Sequence, residues 1–319
     1  MTLLDDVNGL NVPPVLFIAF NRPDTTSLVF NAIRDARPSK LYVAVDGPRA
    51  GLEGEFEKVA RVRKIATSVD WPCELKTLIR ETNLGCKYAV SGAISWFFDN
   101  EDSGIILEDD CLPDLSFFGF CQEMLVKYRN DTRVLMVSGT NLAWDINGKE
   151  GYYFSRYPHI WGWASWRRAW KSYDVDMNDL PQLLKDKNFI SSFKSKSEYR
   201  YWAHYFLDVY TGRINTWDIQ VVYLALTQGQ LTIFPSGNLV SNIGFGVDAT
   251  HTSKINRKIA NLPIIPLGSN AIQPTFMIPN IVFESRRKHK ESIGKRNISQ
   301  LFRSVVRKVR NLILLILIN

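Results

Sequence analysis

The segment Val15-Leu16-Phe17-Ile18-Ala19-Phe20-Asn21-Arg22-Pro23-Asp24-Thr25-Thr26 decides the fold. An unbroken apolar run of this length reads as a strand buried on both faces; a half-exposed strand would alternate. Asn21-Arg22-Pro23 ends the run, and Asp24, Thr25 and Thr26 offer an N-cap to a helix whose apolar face is Leu28, Val29, Ala32 and Ile33. The unit then repeats. Leu41 to Val45 closes on Asp46-Gly47-Pro48, and Phe56, Val59, Val62, Ile65, Ala66 and Val69 follow at helical spacing. Leu75 to Ile79 is predicted as a third strand, with Gly85 to Phe98 as the next helix. Gly104 to Leu107 and Val134 to Ser138 are further strands, separated by a helix carrying Phe117, Cys121, Met124, Leu125 and Tyr128. Strands joined by single helices require right-handed crossovers, and so a mainly parallel sheet with helices on both faces. The expected class is α/β.

Beyond about residue 150 the pattern loosens into amphipathic helices (Pro181 to Tyr210) and a strand-and-loop stretch (Leu231 to Thr252), without an internal repeat or a linker. The second half is therefore expected to pack on the first as one unit. A chain of 319 residues that is 45% hydrophobic, 12% aromatic and 22% charged is neither disordered nor collagen-like. Its net charge of +7 is unevenly placed. Arg286 to Arg310 holds ten Lys or Arg against Glu291, which leaves the remainder at −2. A near-neutral body with a basic tail argues against nucleic acid as a partner. Cys73, Cys86, Cys111 and Cys121 show no CxxC pairing, and no apolar run reaches the ~18–20 residues of a spanning helix. The acidic start, with Asp5 and Asp6, lacks the form of a signal peptide. A cytoplasmic protein with reduced thiols is expected.

In a parallel sheet, ligands collect outside the carboxyl ends of the strands. Three polar strand ends are visible: Asn21-Arg22, Asp46-Gly47 and Glu108-Asp109-Asp110. Adjacent carboxylates repel unless a cation or hydrogen-bond donors neutralise them, and a hard divalent ion suits all-oxygen ligands. A solvated acidic turn is the plain alternative for that triplet; its position after a buried strand favours a site.

Pro14 to Arg22, Val43 to Gly47, Asn83 to Phe98 and Gly104 to Phe118 together resemble GT-A-fold glycosyltransferases of the nucleotide-diphospho-sugar transferase superfamily. The chain is similar to the N-acetylglucosaminyltransferase I type and to bacterial haemolytic-protein-like sugar transferases. Glu108-Asp109-Asp110-Cys111-Leu112-Pro113-Asp114, His159 to Trp166, Thr216-Trp217-Asp218, Pro235 and Ser241 through His251 carry the likeness downstream. It spans about Pro13 to Thr252.

The resemblance implies a GT-A-type mainly parallel twisted sheet flanked by helices and a mixed α+β acceptor-side half; the amphipathic C-terminal helix lies outside it and is read from the tail's own pattern. Residues 13–145 would form the nucleotide-sugar-binding half, 146–283 the acceptor-side half and 284–319 the basic amphipathic tail. It further implies that Asp110 binds the metal, Mn²⁺ or Mg²⁺, and that Asp109 meets the ribose. Asp46 would accept from the base, simplest as uracil. Asn21, Arg22, Lys87 and Glu108 would complete the donor site. Trp161, Gly162, Trp163 and His251 would lie on the acceptor side. Asp218 would be the catalytic base, although Ile219 stands where the family has a second acid; Asp174 and Asp176 are the alternates, and capping the following helix is the structural reading of Asp218. The implied reaction is inverting transfer of a sugar from a nucleotide-diphosphate donor, a UDP-sugar, to a hydroxyl of a glycan or lipid-linked glycan in bacterial surface-glycan synthesis.

Trp163, Trp166 and Trp170 share one face if the segment is helical, which suits core packing, whereas Trp161 or Trp163 is expected to line a pocket. In the tail, apolar residues at 301, 302, 305, 306, 309, 312, 313, 316 and 317 form a helical stripe with Arg303, Arg307, Lys308 and Arg310 off it. That reads as peripheral attachment to the anionic inner face of the cell membrane, or as a partner helix. A nucleotidyltransferase would need a glycine-rich phosphate loop after the first strand, where Asn21-Arg22-Pro23 has no glycine. A non-enzymatic membrane-associated, lytic or scaffold protein acting through the tail is the other alternative.

Overall fold

The computed structural model describes residues 11–143, 151–245, 261–267 and 273–285. His251 and the tail beyond residue 285 lie outside the described residues.

The elements follow the sequence pattern closely in the first half. Strand β1 (Val15–Ala19) leads into helix α1 (Pro23–Ala36), with Pro23 in its first turn, where a missing N–H costs nothing. The helix stops at Arg37 in the left-handed conformation (φ 50°). Next come β2 (Lys40–Val45), α2 (Glu55–Ala66), β3 (Glu74–Ile79), α3 (Gly85–Asn100) and β4 (Ser103–Glu108). A short β5 (Cys111–Pro113) precedes α4 (Leu115–Lys127), whose N-cap, Asp114, accepts from the Ser116 N–H. Then follow β6 (Val134–Ser138), β7 (Tyr152–Ser155), β8 (Trp163–Trp166) and the short helices α5 (Arg167–Trp170), α6 (Leu180–Leu183) and α7 (Lys187–Ser191). Helices α8 (Lys196–Tyr210) and α9 (Ile219–Gln228) and strands β9 (Leu231–Pro235) and β10 (Val240–Asn242) complete the order.

Eight strands form one sheet in the order β3-β2-β1-β4-β8-β6-β9-β7, and β5 pairs with β10 in a separate two-stranded ribbon. Strands β1, β2, β3 and β4 are parallel, β6 and β9 are parallel to each other, and β8 and β7 run antiparallel to their neighbours. The architecture is α/β and mainly parallel. Strands from both halves of the chain are interleaved in this sheet, since β8 sits between β4 and β6.

Each face of the sheet has its own core. Val15, Phe17 and Ala19 of β1 turn toward α1, α2 and α4, and Leu16 and Ile18 turn toward α3 and α9. This two-sided burial is what the unbroken apolar run demanded. A third cluster joins α6, α7, α8 and α9 through Leu180, Phe189, Phe206 and Val222.

One element departs from expectation. Residues 163–166 are a strand, and the helix begins only at Arg167. Trp163 therefore faces the α3 and α9 side, and Trp166 the opposite side with Ala164. The helical spacing of the tryptophans is a coincidence of number: slotting between β4 and β6 satisfies the backbone of a segment whose residues alternate across the sheet.

Candidate functional site

The carboxyl ends of β1, β2 and β4 open into a cavity of about 410 Å³, walled also by residues 216–218 and by the chain leaving β10. Asn21, Arg22, Asp46, Glu108, Asp109, Asp110, Trp161 and Asp218 all line it. The three polar strand ends thus meet in one place.

At the centre Arg22 bridges two carboxylates. Its Nη1 donates to Asp110 Oδ2 at 2.8 Å and its Nη2 donates to Asp109 Oδ1. Burial works against the charge on Arg22, but Asp109 and Asp110 more than offset this and hold the guanidinium charged. The second oxygen of Asp109 accepts the Phe20 N–H at 3.0 Å. With both oxygens engaged and its side chain 3% exposed, Asp109 orients Arg22 and offers little surface to the ribose that the resemblance implied.

Asp110 differs. Its Oδ1 receives only a weak Cys111 S–H contact at 3.4 Å. Glu108 makes no hydrogen bond or ion pair among the described residues, and burial, reinforced by Asp110 and Asp109, raises its pKa well above the usual carboxylate range. Chain leaving β10 covers this cluster: the Ile243 N–H donates to the Asp110 carbonyl, and Gly244 lies directly over the Arg22–Asp110 pair.

Asp46 caps α3 from outside the helix. Its carboxylate accepts from Asn83 Nδ2 at 2.9 Å and from the N–H groups of Leu84 at 3.1 Å and Gly85 at 3.2 Å. Burial raises its pKa despite those donors. A carboxylate offers about four acceptor positions, so little of Asp46 is left for a base.

Asp218 occupies the N-cap position of α9 without making a side-chain cap bond. It accepts from Thr216 Oγ1 instead and faces the cavity. The capping reading therefore fails for its side chain. Asp174 caps its own turn through the N–H groups of Asp176 and Asn178, and Asp176 pairs with Lys87 at 2.7 Å. Neither alternate lines the cavity, and neither does Lys87.

On the opposite wall Trp161 packs edge-on against His159 (4.6 Å between centroids) and Phe245 (5.6 Å). Trp163 is 2% exposed, stacked on Trp217 and tilted against Trp170, so it belongs to the core and not to an acceptor surface. Gly162 has φ +63° and packs beneath Val240 and Leu107, where it serves the turn into β8. His251 lies outside the described residues.

Several residues in the cavity wall or behind it escaped the sequence reading. Arg80, the first residue after β3, makes no side-chain hydrogen bond or ion pair among the described residues, and burial lowers its pKa. Applying the strand-end rule to β3 would have found it. Arg49 and Glu55 form a bidentate pair that also holds Asn21, whose Nδ2 donates to Glu55 at 2.9 Å. No local pattern marks Glu55, since its partners Arg49 and Asn21 come from two other segments. Cys86 lines the cavity too, but burial pushes its thiol up to about 12, which keeps it protonated.

Among the described residues no group of three His, Cys, Asp or Glu is arranged as a metal cluster. Mg²⁺ and Mn²⁺ at nucleotide sites, however, commonly use one or two carboxylates, with phosphate oxygens and water completing the shell. The free oxygens of Glu108 and Asp110 fit that smaller donor set.

No family model and no curated protein matches the chain. Among solved structures, HddC from Yersinia pseudotuberculosis overlaps at TM-score 0.28 and 8% identity, over 49% of this chain and 77% of that one. The glycosyltransferase GlyE of Streptococcus pneumoniae TIGR4 overlaps at TM-score 0.29 and 12% identity, over 61% of this chain and 43% of that one. At those scores neither likeness carries an argument about this chain.

Proposed function

We propose that the protein is a metal-dependent, inverting glycosyltransferase of GT-A type. It would move a sugar from a nucleotide-diphosphate donor, a UDP-sugar, to a hydroxyl of a surface glycan or its lipid-linked precursor. One observation carries the reading. Glu108, Asp110 and Asp218 keep carboxylate oxygens open to a single cavity that also holds the Arg80 guanidinium, which makes no ion pair or side-chain hydrogen bond among the described residues.

A divalent ion bound by Asp110, with Glu108 beside it, would cancel the charge developing on the departing diphosphate. The chain's own residues supply the rest. Arg80 offers a fork of donors to phosphate oxygens in a partly desolvated setting, where such contacts are strong. Arg22 fixes the Asp110 carboxylate and neutralises Asp109, so the cluster tolerates its density of negative charge. Asp218 takes the proton from the acceptor hydroxyl as that oxygen bonds to the anomeric carbon and the carbon–oxygen bond to the diphosphate breaks. The Thr216 hydroxyl, donating to Asp218 Oδ1, fixes the orientation of that carboxylate. The aromatic face of Trp161 suits the C–H surface of a sugar.

Calorimetric titration of UDP with and without Mn²⁺ tests the site. Wild-type protein should bind only with the metal present, and Asp110→Ala should lose at least ~100-fold in affinity, on the order of 3 kcal/mol. Equal binding by the variant would remove the proposal's basis.

A further inference from the structure

Four large apolar side chains stand in solvent on one short stretch: Phe276 (70% exposed), Ile278 (67%), Ile281 (64%) and Val282 (58%). Large side chains exposed together mark an interaction surface more often than scattered ones do. The stretch is firmly docked on its other side. The Asn280 N–H donates to the Phe154 carbonyl at 2.8 Å, and Pro279 bridges to Phe154 of the edge strand β7. Phe283 is fully buried against Tyr153 and Phe234, at 5.6 and 4.9 Å between centroids. The exposed residues are therefore an outward face held in place by an inward one.

Charge says what kind of partner fits. The only acid in residues 273–285 is Glu284, which is buried, accepts the Arg156 N–H at 2.8 Å and pairs with Lys194 at 2.5 Å. No exposed negative charge sits on the segment. Directly after it, Arg286 to Arg310 brings ten basic residues against one acid. An apolar patch joined to a basic run asks for a partner that is apolar and anionic together, and an anionic lipid surface is both. The tail's own apolar stripe would satisfy the patch and leave the basic residues uncompensated, and a protein partner would need an apolar face and an acidic one side by side.

We propose that Phe276, Ile278, Ile281 and Val282 insert into an anionic membrane surface, whose charge complements the basic run that follows in the sequence. Edge strand β7 stands four strands from β4 in the sheet order, so docking this face leaves the cavity accessible. The inference is independent of the transferase reading.

Sedimentation of the full chain with vesicles of phosphatidylglycerol and phosphatidylcholine, against phosphatidylcholine alone, tests it. Wild-type protein should bind the anionic vesicles and release as salt rises. The fourfold variant Phe276→Ser, Ile278→Ser, Ile281→Ser, Val282→Ser should lose at least tenfold in partitioning, with its melting temperature and its nucleotide affinity unchanged. Should that variant lose cooperative melting, Phe276→Ser and Ile281→Ser singly carry the test, each weakening binding several-fold. Binding by the variants equal to wild type would overturn the proposal, as would no binding of wild type to either vesicle. A dimer that the substitutions dissociate would equally overturn it, since the patch would then hold a second copy.

Discussion

Gly244 shows how little space the carboxylate cluster has. A Cβ at that position would strike Asp110 Oδ2 and lie 2.7 Å from Arg22 Nη1. Gly244→Ala should therefore push the Asp110 carboxylate aside, lowering metal-dependent nucleotide affinity by roughly 10- to 100-fold at a stability cost of about 1–3 kcal/mol. Titration calorimetry beside a thermal melt separates the two effects. Asp218→Asn should keep nucleotide binding and slow transfer by about 10²–10⁴, the usual weight of a general base; unchanged turnover would assign the base elsewhere. Glu55 supplies a pH-dependent test of the cavity wall. Its pair with Arg49 holds its carboxyl at about 2, against an ordinary value of 4.5. A lowered acid contributes stability that is present above the ordinary value and is lost as pH falls through the folded one. Wild type should exceed Glu55→Gln by about 1–2 kcal/mol at pH 7, discounted for the half-exposed Arg49. The gap should close between about pH 4.5 and pH 2, as read by urea unfolding. At this scale the site was legible wherever a residue ends or follows a buried strand, as Arg22, Asp46 and Glu108 do. Glu55 and Thr216 were not, because their value lies in a loop pairing or a turn that carries no signature, and for Glu55 also in distant Asn21.

The elements tell a similar story. Buried strands β1, β2 and β4 announce themselves as apolar runs, and α1 and α3 as 3.6-residue stripes, because local sequence alone decides those patterns. Strands β5, β8 and β10 are three or four residues long and exist through pairing with distant partners. Nothing local distinguishes Trp163 to Trp166 from the first turn of the helix it precedes. The consequence is measurable. Trp163 is packed between Trp170 and Trp217 at 6.1 Å from each, so Trp163→Ala should cost about 3–5 kcal/mol. Trp161 lies on the cavity wall and is only partly buried, so Trp161→Ala should cost much less stability and weaken acceptor-dependent turnover instead. Chemical denaturation of the two variants, with steady-state kinetics, checks the contrast; equal destabilisation would place both rings in the core.

For the whole molecule the interleaving of strands matters more than any division of the sequence. Strand β8, from the second half, is hydrogen-bonded between β4 and β6 of the first, and the cavity takes walls from both halves. Neither half retains a complete sheet alone, so the described body should unfold in one transition despite a length at which separate units often melt apart. Calorimetric and van't Hoff enthalpies should agree. A ligand of the cavity must then shift the entire transition: at 100-fold excess over its dissociation constant it adds about 2.7 kcal/mol, which for a chain of this size raises the melting temperature by on the order of 4 °C. Scanning calorimetry with UDP-sugars, UDP and Mn²⁺ therefore reads two things together. A single peak that moves intact ties the cavity to the shared sheet. A peak that splits, with only its early part responding to nucleotide, would mean that the first-half strands hold the ligand alone and that the walls from residues 216–218 and β10 close on it without sharing its binding energy.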